Sequence, residues 1–349
     1  MADPRRATIY SVAERARVSI ATVSRTLSGS RRVSDASRER VLEAVRTLDY
    51  IPDRAARSLA AQRHQALGLV LPELNGFYYP ELLTGFESLA AERRLPVVLL
   101  VAGLAARDLD QPLAELCSRV DGVAVMNGPG LIGRDRLQAL NRRTPLIVIG
   151  SALGQGDVVT TGSRENARRL TAHLIEHGRR RPVFAGSPEL AADAAARWQG
   201  FGAAMVEHGL PVPAPQPGGF DGPSGEALGR RIAAGAVDCD AVVCVNDDLA
   251  LGLCLELRRQ SLHVPNDIAV TGWDDAPATR YTTPGITTVA QPVRELGRVA
   301  AARLLARIDG QPPKGPTELP TQIVLRGSCG CPDIPPKAPG SGGRTKEYQ

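Results

Sequence analysis

From residue 66 onward the chain alternates short apolar runs with longer amphipathic stretches, and this alternation leaves few folds open. The runs are ALGLVL (66–71), PVVLLV (96–101), DGVAVM (121–126), PLIVIG (145–150), PVFAG (182–186), DAVVCV (240–245) and DIAVTG (267–272). Runs this short, without internal polar alternation, suit strands buried on both faces. The stretches 79–94, 134–143, 163–178, 194–208, 224–235 and 247–260 carry helical patterns. Strands that alternate with helices of this length build βαβ units and parallel sheets. TTVAQP (287–292), a helix over 293–309 and QIVLRG (322–327) complete the set. Beyond it, residues 329–349 are expected to form a disordered tail, Pro-, Gly- and Lys-rich from Pro332.

The first fifth of the chain has a different texture. Residues 1–64 hold 13 of the 42 basic residues, all Arg, against 7 of the 37 acidic ones, a net charge of +6. The remainder is close to neutral at −1. A small domain holding the whole basic excess points to a polyanion partner, above all nucleic acid. Three helices are readable there. The first starts at Thr8 as N-cap and runs through YSVAERA. Arg17, Val18 and Ser19 make a turn, and Ser19 caps a second helix from Ile20 to Leu27. SGSRR breaks the pattern, and a third helix covers about 37–48, with Val41, Val45 and Leu48 at helical spacing, before Pro52. Two short helices joined by a tight turn, with a third across them, form a helix-turn-helix. Val12, Ala13, Ala16, Val18, Val23 and Leu27 supply its core.

The second helix turns short side chains outward. Ile20, Ala21 and Ser24 let it approach base edges, and Arg25 reaches guanine or a phosphate. Thr22, Ser28 and Arg31 hold phosphates. The competing reading is a three-helix domain that binds protein. DRAARSLAAQR (53–63) follows, with Leu59 as its one large apolar residue. A helix so short with so little to bury folds only on a partner or a second copy of itself.

IYSVAERARVSIATVSRTLSGSRRVS, followed by TLDYIPDRAARSLA, resembles the lactose/galactose-repressor family of bacterial transcription regulators, over residues 8 to about 328. Val-Ser-x-x-Thr-Val-Ser-Arg at 18–25 together with Tyr-x-Pro at 50–52 carries the resemblance. Two departures stand out: Arg17 replaces a usual Gly, and Ser11 a common Asp. The resemblance implies an all-α DNA-binding domain over 1–52, a hinge helix over 53–64 and an α/β core over 65–328. That core, like the periplasmic binding proteins, has two doubly wound subdomains. It implies operator contacts by Thr8, Ser19 and the second helix. It also implies a hinge that folds on DNA in a dimer, with Arg57 in contact and Leu59 wedged into the minor groove, Ala56 and Ala60 allowing close approach.

Ligands of open α/β sheets sit beyond the carboxyl ends of the strands. Those ends, with the family pattern, select Phe77, Tyr78, Arg197, Phe220, Asn246, Trp273, Asp274 and Gln291. Aromatic faces beside Arg, Asn, Asp and Gln suit a polyhydroxylated ring, so a sugar is the expected effector, with a purine left open. Blander roles compete: Asn246 as a helix cap, Trp273 as core, Phe77 as a lid or subunit contact. Gly162-Ser163 stands where the family often has Asp-Asn, which removes one polar contact.

Catalysis finds no footing. There is no G-x-S-x-G elbow, H-E-x-x-H pair or phosphate-cradling glycine loop. His173 and His177, four apart beside Glu176, read as a solvated helix face rather than a metal site. Cys329-Gly-Cys331 is not a usual zinc spacing and has no His near it in sequence; the other four cysteines read as core thiols. No cofactor and no metal are expected. MADPRRATIY lacks the apolar core of a secretory signal, and no apolar run is long enough to span a bilayer, so a cytoplasmic protein without a membrane partner is expected. The expectation is a dimeric regulator, a repressor, whose affinity for a pseudo-palindromic operator follows a small molecule in the inter-subdomain cleft. The alternative is a cytoplasmic sugar-binding component without regulatory DNA binding.

Overall fold

A computed structural model describes residues 7–27, 32–50, 63–103, 109–126, 132–150 and 156–332. The chain divides into two compact units, Met1–His64 and Gln65–Gln349.

The first unit holds α1 (Ile9–Ala16), α2 (Ile20–Leu27) and α3 (Asp35–Thr47). Thr8 caps α1, its hydroxyl accepting from the Ser11 amide at 3.3 Å while Ser11 Oγ accepts from the Thr8 amide at 2.8 Å. Ser11 therefore closes a reciprocal capping box, and its hydroxyl takes over the capping role of a carboxylate. Arg17 ends α1 at φ 51, ψ 48, in the left-handed region that favours glycine. Ser19 caps α2 through the Thr22 amide at 3.2 Å. The third helix begins two residues earlier than its apolar spacing suggests, because Ser34 is its cap. Val12, Ala13, Ala16, Val23, Val41 and Ala44 form the core with Tyr50; Val18 and Leu27 pack at its edge. Residues 51–62, which include most of the hinge, lie outside the described residues, as do 28–31.

The second unit contains two α/β subdomains. In the first, β1 (Leu67–Leu71), β2 (Val97–Val101), β3 (Gly122–Met126), β4 (Leu146–Ile149), β5 (Val158–Thr161) and β10 (Thr317–Leu319) form a parallel sheet in the order β10-β5-β4-β3-β1-β2. Helices cover both faces. On one side α4 (Tyr78–Glu92) and α11 (Val293–Ile308) bury Leu82, Phe86, Leu296 and Leu304 against Leu67, Leu69 and Ile147. These two helices meet backbone to backbone: a Cβ on Gly85 would sit 1.8 Å from the Arg294 carbonyl oxygen, and one on Gly297 2.1 Å from that of Leu82. On the other side α5 (Asp110–Cys117) and α6 (Arg134–Asn141) cover Val70, Val123 and Val125. Helix α5 and strands β5 and β10 were not anticipated. VVTT is short and half polar and TEL is polar, so neither shows the apolar run of a central strand.

The second subdomain is built on β6 (Pro182–Ala185), β7 (Ala241–Cys244) and β8 (Ala269–Thr271), parallel in the order β6-β7-β8. Around it lie α7 (Arg164–Glu176), α8 (Ala192–Glu207), α9 (Gly222–Ala233) and α10 (Asp247–Arg259), and its core includes Phe184, Phe201, Leu253 and Cys329. The chain passes between subdomains after β5, after β9 (Thr288–Ala290) and after β10, where β11 (Gln322–Val324) pairs antiparallel with β9. The expected tail does not begin at 329. Gly327–Cys329 forms a 3₁₀ turn and Cys329 is fully buried, so this segment belongs to the core. Residues 333–349 lie outside the described residues.

Candidate functional site

Two surfaces carry the chemistry, one in each unit. On α2 the spacing of Val23 and Leu27 turns one edge into the core and leaves Ala21, Ser24 and Arg25 exposed, with Ile20 41% exposed at the helix start. An apolar side chain there, amid small polar ones, matches the thymine methyl and base edges of a major groove. Ser19 and Thr22 share a hydrogen bond of 2.9 Å, which orders both hydroxyls at the helix N-terminus, where amides favour phosphate. Tyr10 on α1, 68% exposed, is a further candidate that a search for small and basic residues passes over. Ser28, Arg31, Arg57, Leu59 and Ala60 lie outside the described residues.

In the second unit a cleft of about 1370 Å³ opens beyond the carboxyl ends of strands from both subdomains. The turn after β1 brings Asn75, Phe77 and Tyr78 from the first subdomain. Opposite stand Arg197, Phe220, Asn246 and Asp274 of the second. The subdomains meet at its edge, where a Cβ on Gly76 would lie 2.5 Å from Asp248 Oδ2.

Arg197 is the buried centre of the site, 2% exposed. Its guanidinium donates to the Val245 carbonyl at 2.6 Å and to Asp193 Oδ2 at 2.6 Å, and lies 4.6 Å from the ring centre of Trp273. A planar cation stacked on an indole and forked onto two acceptors has little freedom left. Its Nε finds no partner among the described residues. Asp274 and Asp275 hold positive φ values of 116 and 55, a conformation that non-glycine residues adopt at a cost. Burial pushes the Asp274 carboxyl up to about 7, against the opposing pull of Arg197 and a hydrogen bond from Gln291. Burial, reinforced by Asp274, raises the neighbouring Asp247 carboxyl as well. Asp247 accepts from Thr288 Oγ1 and the Ala276 amide, both at 2.7 Å, and so ties the 274–276 loop to α10.

Six of the eight residues selected from the sequence line the cleft: Phe77, Tyr78, Arg197, Phe220, Asn246 and Asp274. Asn246 combines this with its blander role. Its Oδ1 caps α10 at the Leu249 amide, 3.1 Å away, and its Nδ2 donates to the Phe220 carbonyl at 2.8 Å. Trp273 and Gln291 are corrections, because neither lines the cleft. Trp273, 1% exposed, turns inward and supports Arg197 from behind. Gln291 donates to Asp274 Oδ1 at 2.5 Å and accepts from Thr161 Oγ1, so it orients the carboxylate and links two crossovers. Gly162 and Ser163 contribute nothing to the lining. Asp193, missed earlier, also lines the cleft; its place one turn before Arg197 was the available signal. His173 and His177 are a second correction. They do not form a plain solvated face but stand against Cys329 and Cys331 of the C-terminal turn.

Comparison with known proteins agrees with both halves. A family model for bacterial regulatory proteins of the lacI family matches residues 8–53, and one for a periplasmic binding protein-like domain matches residues 171–329. The HTH-type transcriptional repressor PurR of Vibrio parahaemolyticus serotype O3:K6 is 32% identical over 331 residues, 92% of this chain and 98% of that one. The lac repressor dimer bound to operator and the anti-inducer ONPF superposes with a TM-score of 0.84 at 25% identity, covering 93% of this chain and 99% of that one. The transcriptional regulator CelR in complex with cellobiose does so with a TM-score of 0.69 at 30% identity, covering 93% and 100%.

Proposed function

The chain belongs to the lacI family of bacterial regulatory proteins, and from that premise we propose that it acts as a homodimer on a pseudo-palindromic operator, with a neutral sugar as its effector. It is a DNA-binding transcription regulator with a ligand-binding domain, and not an enzyme. Two structural neighbours were solved with operator and with cellobiose, and both features carry over here as parts of the proposal. One helix-turn-helix reads too few base pairs to find a site alone, so two copies related by a two-fold axis read two half-sites. Paired hinge segments over 53–64 then set Leu59 into the minor groove between them.

The observation that carries the effector class is the lining of the cleft. Glu73, Asp193, Asp221, Asp248 and Asp274 offer carboxylate oxygens, which accept from hydroxyl groups, while Phe77 and Phe220 offer flat apolar faces. Arg197 already holds Asp193, and Arg258 is the one other fixed cation among the described lining residues, so carboxylates outnumber positive charges there. A neutral polyhydroxylated ring meets these groups, whereas a sugar phosphate would face carboxylates. A ligand that binds one subdomain arrangement better than the other shifts their equilibrium, and with it the spacing of the hinges and the affinity for DNA. Such a regulator works in the cytoplasm; among the described residues no helix is long and apolar enough to cross a membrane.

The test is a titration of the full chain against promoter fragments of its own gene at two salt concentrations, with neutral sugars, sugar phosphates and purines as additions. Tight, salt-sensitive binding to one palindrome that a neutral sugar alone modulates is the expected result. Modulation by a purine or a sugar phosphate overturns the effector class. Absence of specific binding under every condition overturns the operator reading and leaves a sugar-binding component.

A further inference from the structure

Outside the cleft, four thiol and imidazole side chains converge from segments more than 150 residues apart. His173 and His177 lie one turn apart at the end of α7, ring centres 4.2 Å apart. The C-terminal turn Gly327–Cys329 comes to meet them. Gly330 follows in the left-handed region at φ 102, and that reversal sets both Cys329 and Cys331 beside the histidines. His173 Nε2 lies 3.4 Å from Cys329 Sγ and 3.6 Å from Cys331 Sγ, and Cys331 Sγ lies 4.0 Å from His177 Nε2. The ligand atoms of His173, Cys329 and Cys331 all fall within 4.8 Å of one another.

A thiol–imidazole hydrogen bond accounts for one such contact, since one ring nitrogen has one proton or one lone pair to offer. It does not account for two sulfurs at similar distance from a single Nε2. A tetrahedral ion does. With metal–sulfur bonds of about 2.3 Å and metal–nitrogen bonds of about 2.0–2.1 Å, tetrahedral angles place nitrogen and sulfur about 3.5 Å apart. The His173 distances fall on that value; His177, 4.0 Å from Cys331 Sγ but outside the three-residue cluster, has to swing in to serve as the fourth ligand. We propose that His173, His177, Cys329 and Cys331 form a binding site for a thiophilic divalent cation of the zinc class.

The surroundings fit. Thr287 Oγ1 donates to Cys329 Sγ at 3.1 Å, an outer partner of the kind that orients a ligand thiolate. Cys329 is fully buried, which fixes one side of the site, whereas His177 is exposed and leaves an entry from solvent. Two nitrogens and two sulfurs make a closed set with a structural role rather than a catalytic one. Such an ion would clip the end of the third crossover onto the helix that follows the first. Loading the site would stiffen the links between subdomains.

The test uses the full chain, reduced and without chelator. Elemental analysis is expected to find one zinc per chain. Cobalt(II) titrated into the metal-free protein should give the sulfur-to-metal charge-transfer band and the intense visible absorption of a tetrahedral thiolate site. Cys331→Ser removes a half-buried ligand and should weaken cobalt binding at least about 100-fold, more than loss of an outer-shell partner costs. His177→Ala should weaken it too, with the circular dichroism spectrum unchanged in both variants. Zinc should raise the Tm of the parent and not of Cys331→Ser. Folded, reduced protein that binds no stoichiometric metal overturns the proposal. So does a cobalt band that survives the double substitution of Cys329 and Cys331 to Ser, or a Cys329–Cys331 disulfide that forms in preference to metal binding.

Discussion

The DNA-reading face and the ligand cleft obtain their chemistry in opposite ways. On α2 the functional side chains are consecutive in sequence, exposed, and arranged by a single helix whose cap, Ser19, acts within three residues. In the cleft they come from segments between 75 and 274, and the central cation is buried and held by a carbonyl from another strand end. The first arrangement tolerates change one residue at a time, because an exposed side chain meets mostly water. The second does not: Arg197 rests on Trp273, and Asp274 on Gln291. Removal of one buried partner leaves another unsatisfied.

The comparison is broken most directly at Arg197. Arg197→Ala strands Asp193 and empties a packed site, so it should destabilise the second unit by about 3 kcal/mol and abolish the effector response. Denaturant unfolding should show that loss in the second unit alone, with the helix-turn-helix transition unmoved. Arg25→Ala should do the reverse. Operator affinity is expected to fall by about 1–3 kcal/mol, while effector affinity, read by calorimetry, stays at the parent value. If Arg25→Ala also weakens effector binding to the DNA-free protein, the two surfaces are not separable.

Arg17→Gly sharpens the same contrast on the stability side. The residue sits at positive φ, and glycine there should stabilise the first unit by about 1 kcal/mol, seen as a higher midpoint for that transition only. A further contrast is expected from protons. Asp274 titrates near 7 in the fold against an ordinary 3.8, so between these values the folded chain binds more protons than the unfolded one. Stability of the second unit should therefore fall as pH rises from about 4 to 7 and level off above. Partial exposure screens the effect. Asp274→Asn should flatten that slope, and an unchanged slope assigns the proton to another group.

Much of this architecture was legible before any coordinates. Apolar runs marked the central strands, and strand ends read with the family resemblance selected six of the cleft residues. Thr8 and Ser19 declared themselves as caps, and Arg17 as a strained substitute for glycine. What escaped was of two kinds. Strands β5 and β10 lie at one edge of the sheet, where a polar face is allowed and the apolar signature fades. Side chains that act behind a site, Trp273 and Gln291, share their strand ends with residues that act in it, and only the direction of the side chain separates them.

The sequence by itself determined everything that depends on neighbours within a few residues: helical period, caps, the outward face of α2 and the alternation of the apolar strands with the longer helices. These are local matters, decided by dihedral preference and by which side chains fall on one face of one element. Tertiary structure alone decided which distant residues meet. The crossovers lay Gln291 between Thr161 and Asp274, and the closing turn sets Cys329 and Cys331 against His173. Spacing along a chain cannot report such meetings, because they are set by how whole sheets and helices pack, and packing is the sum of many contacts rather than a property of any one segment.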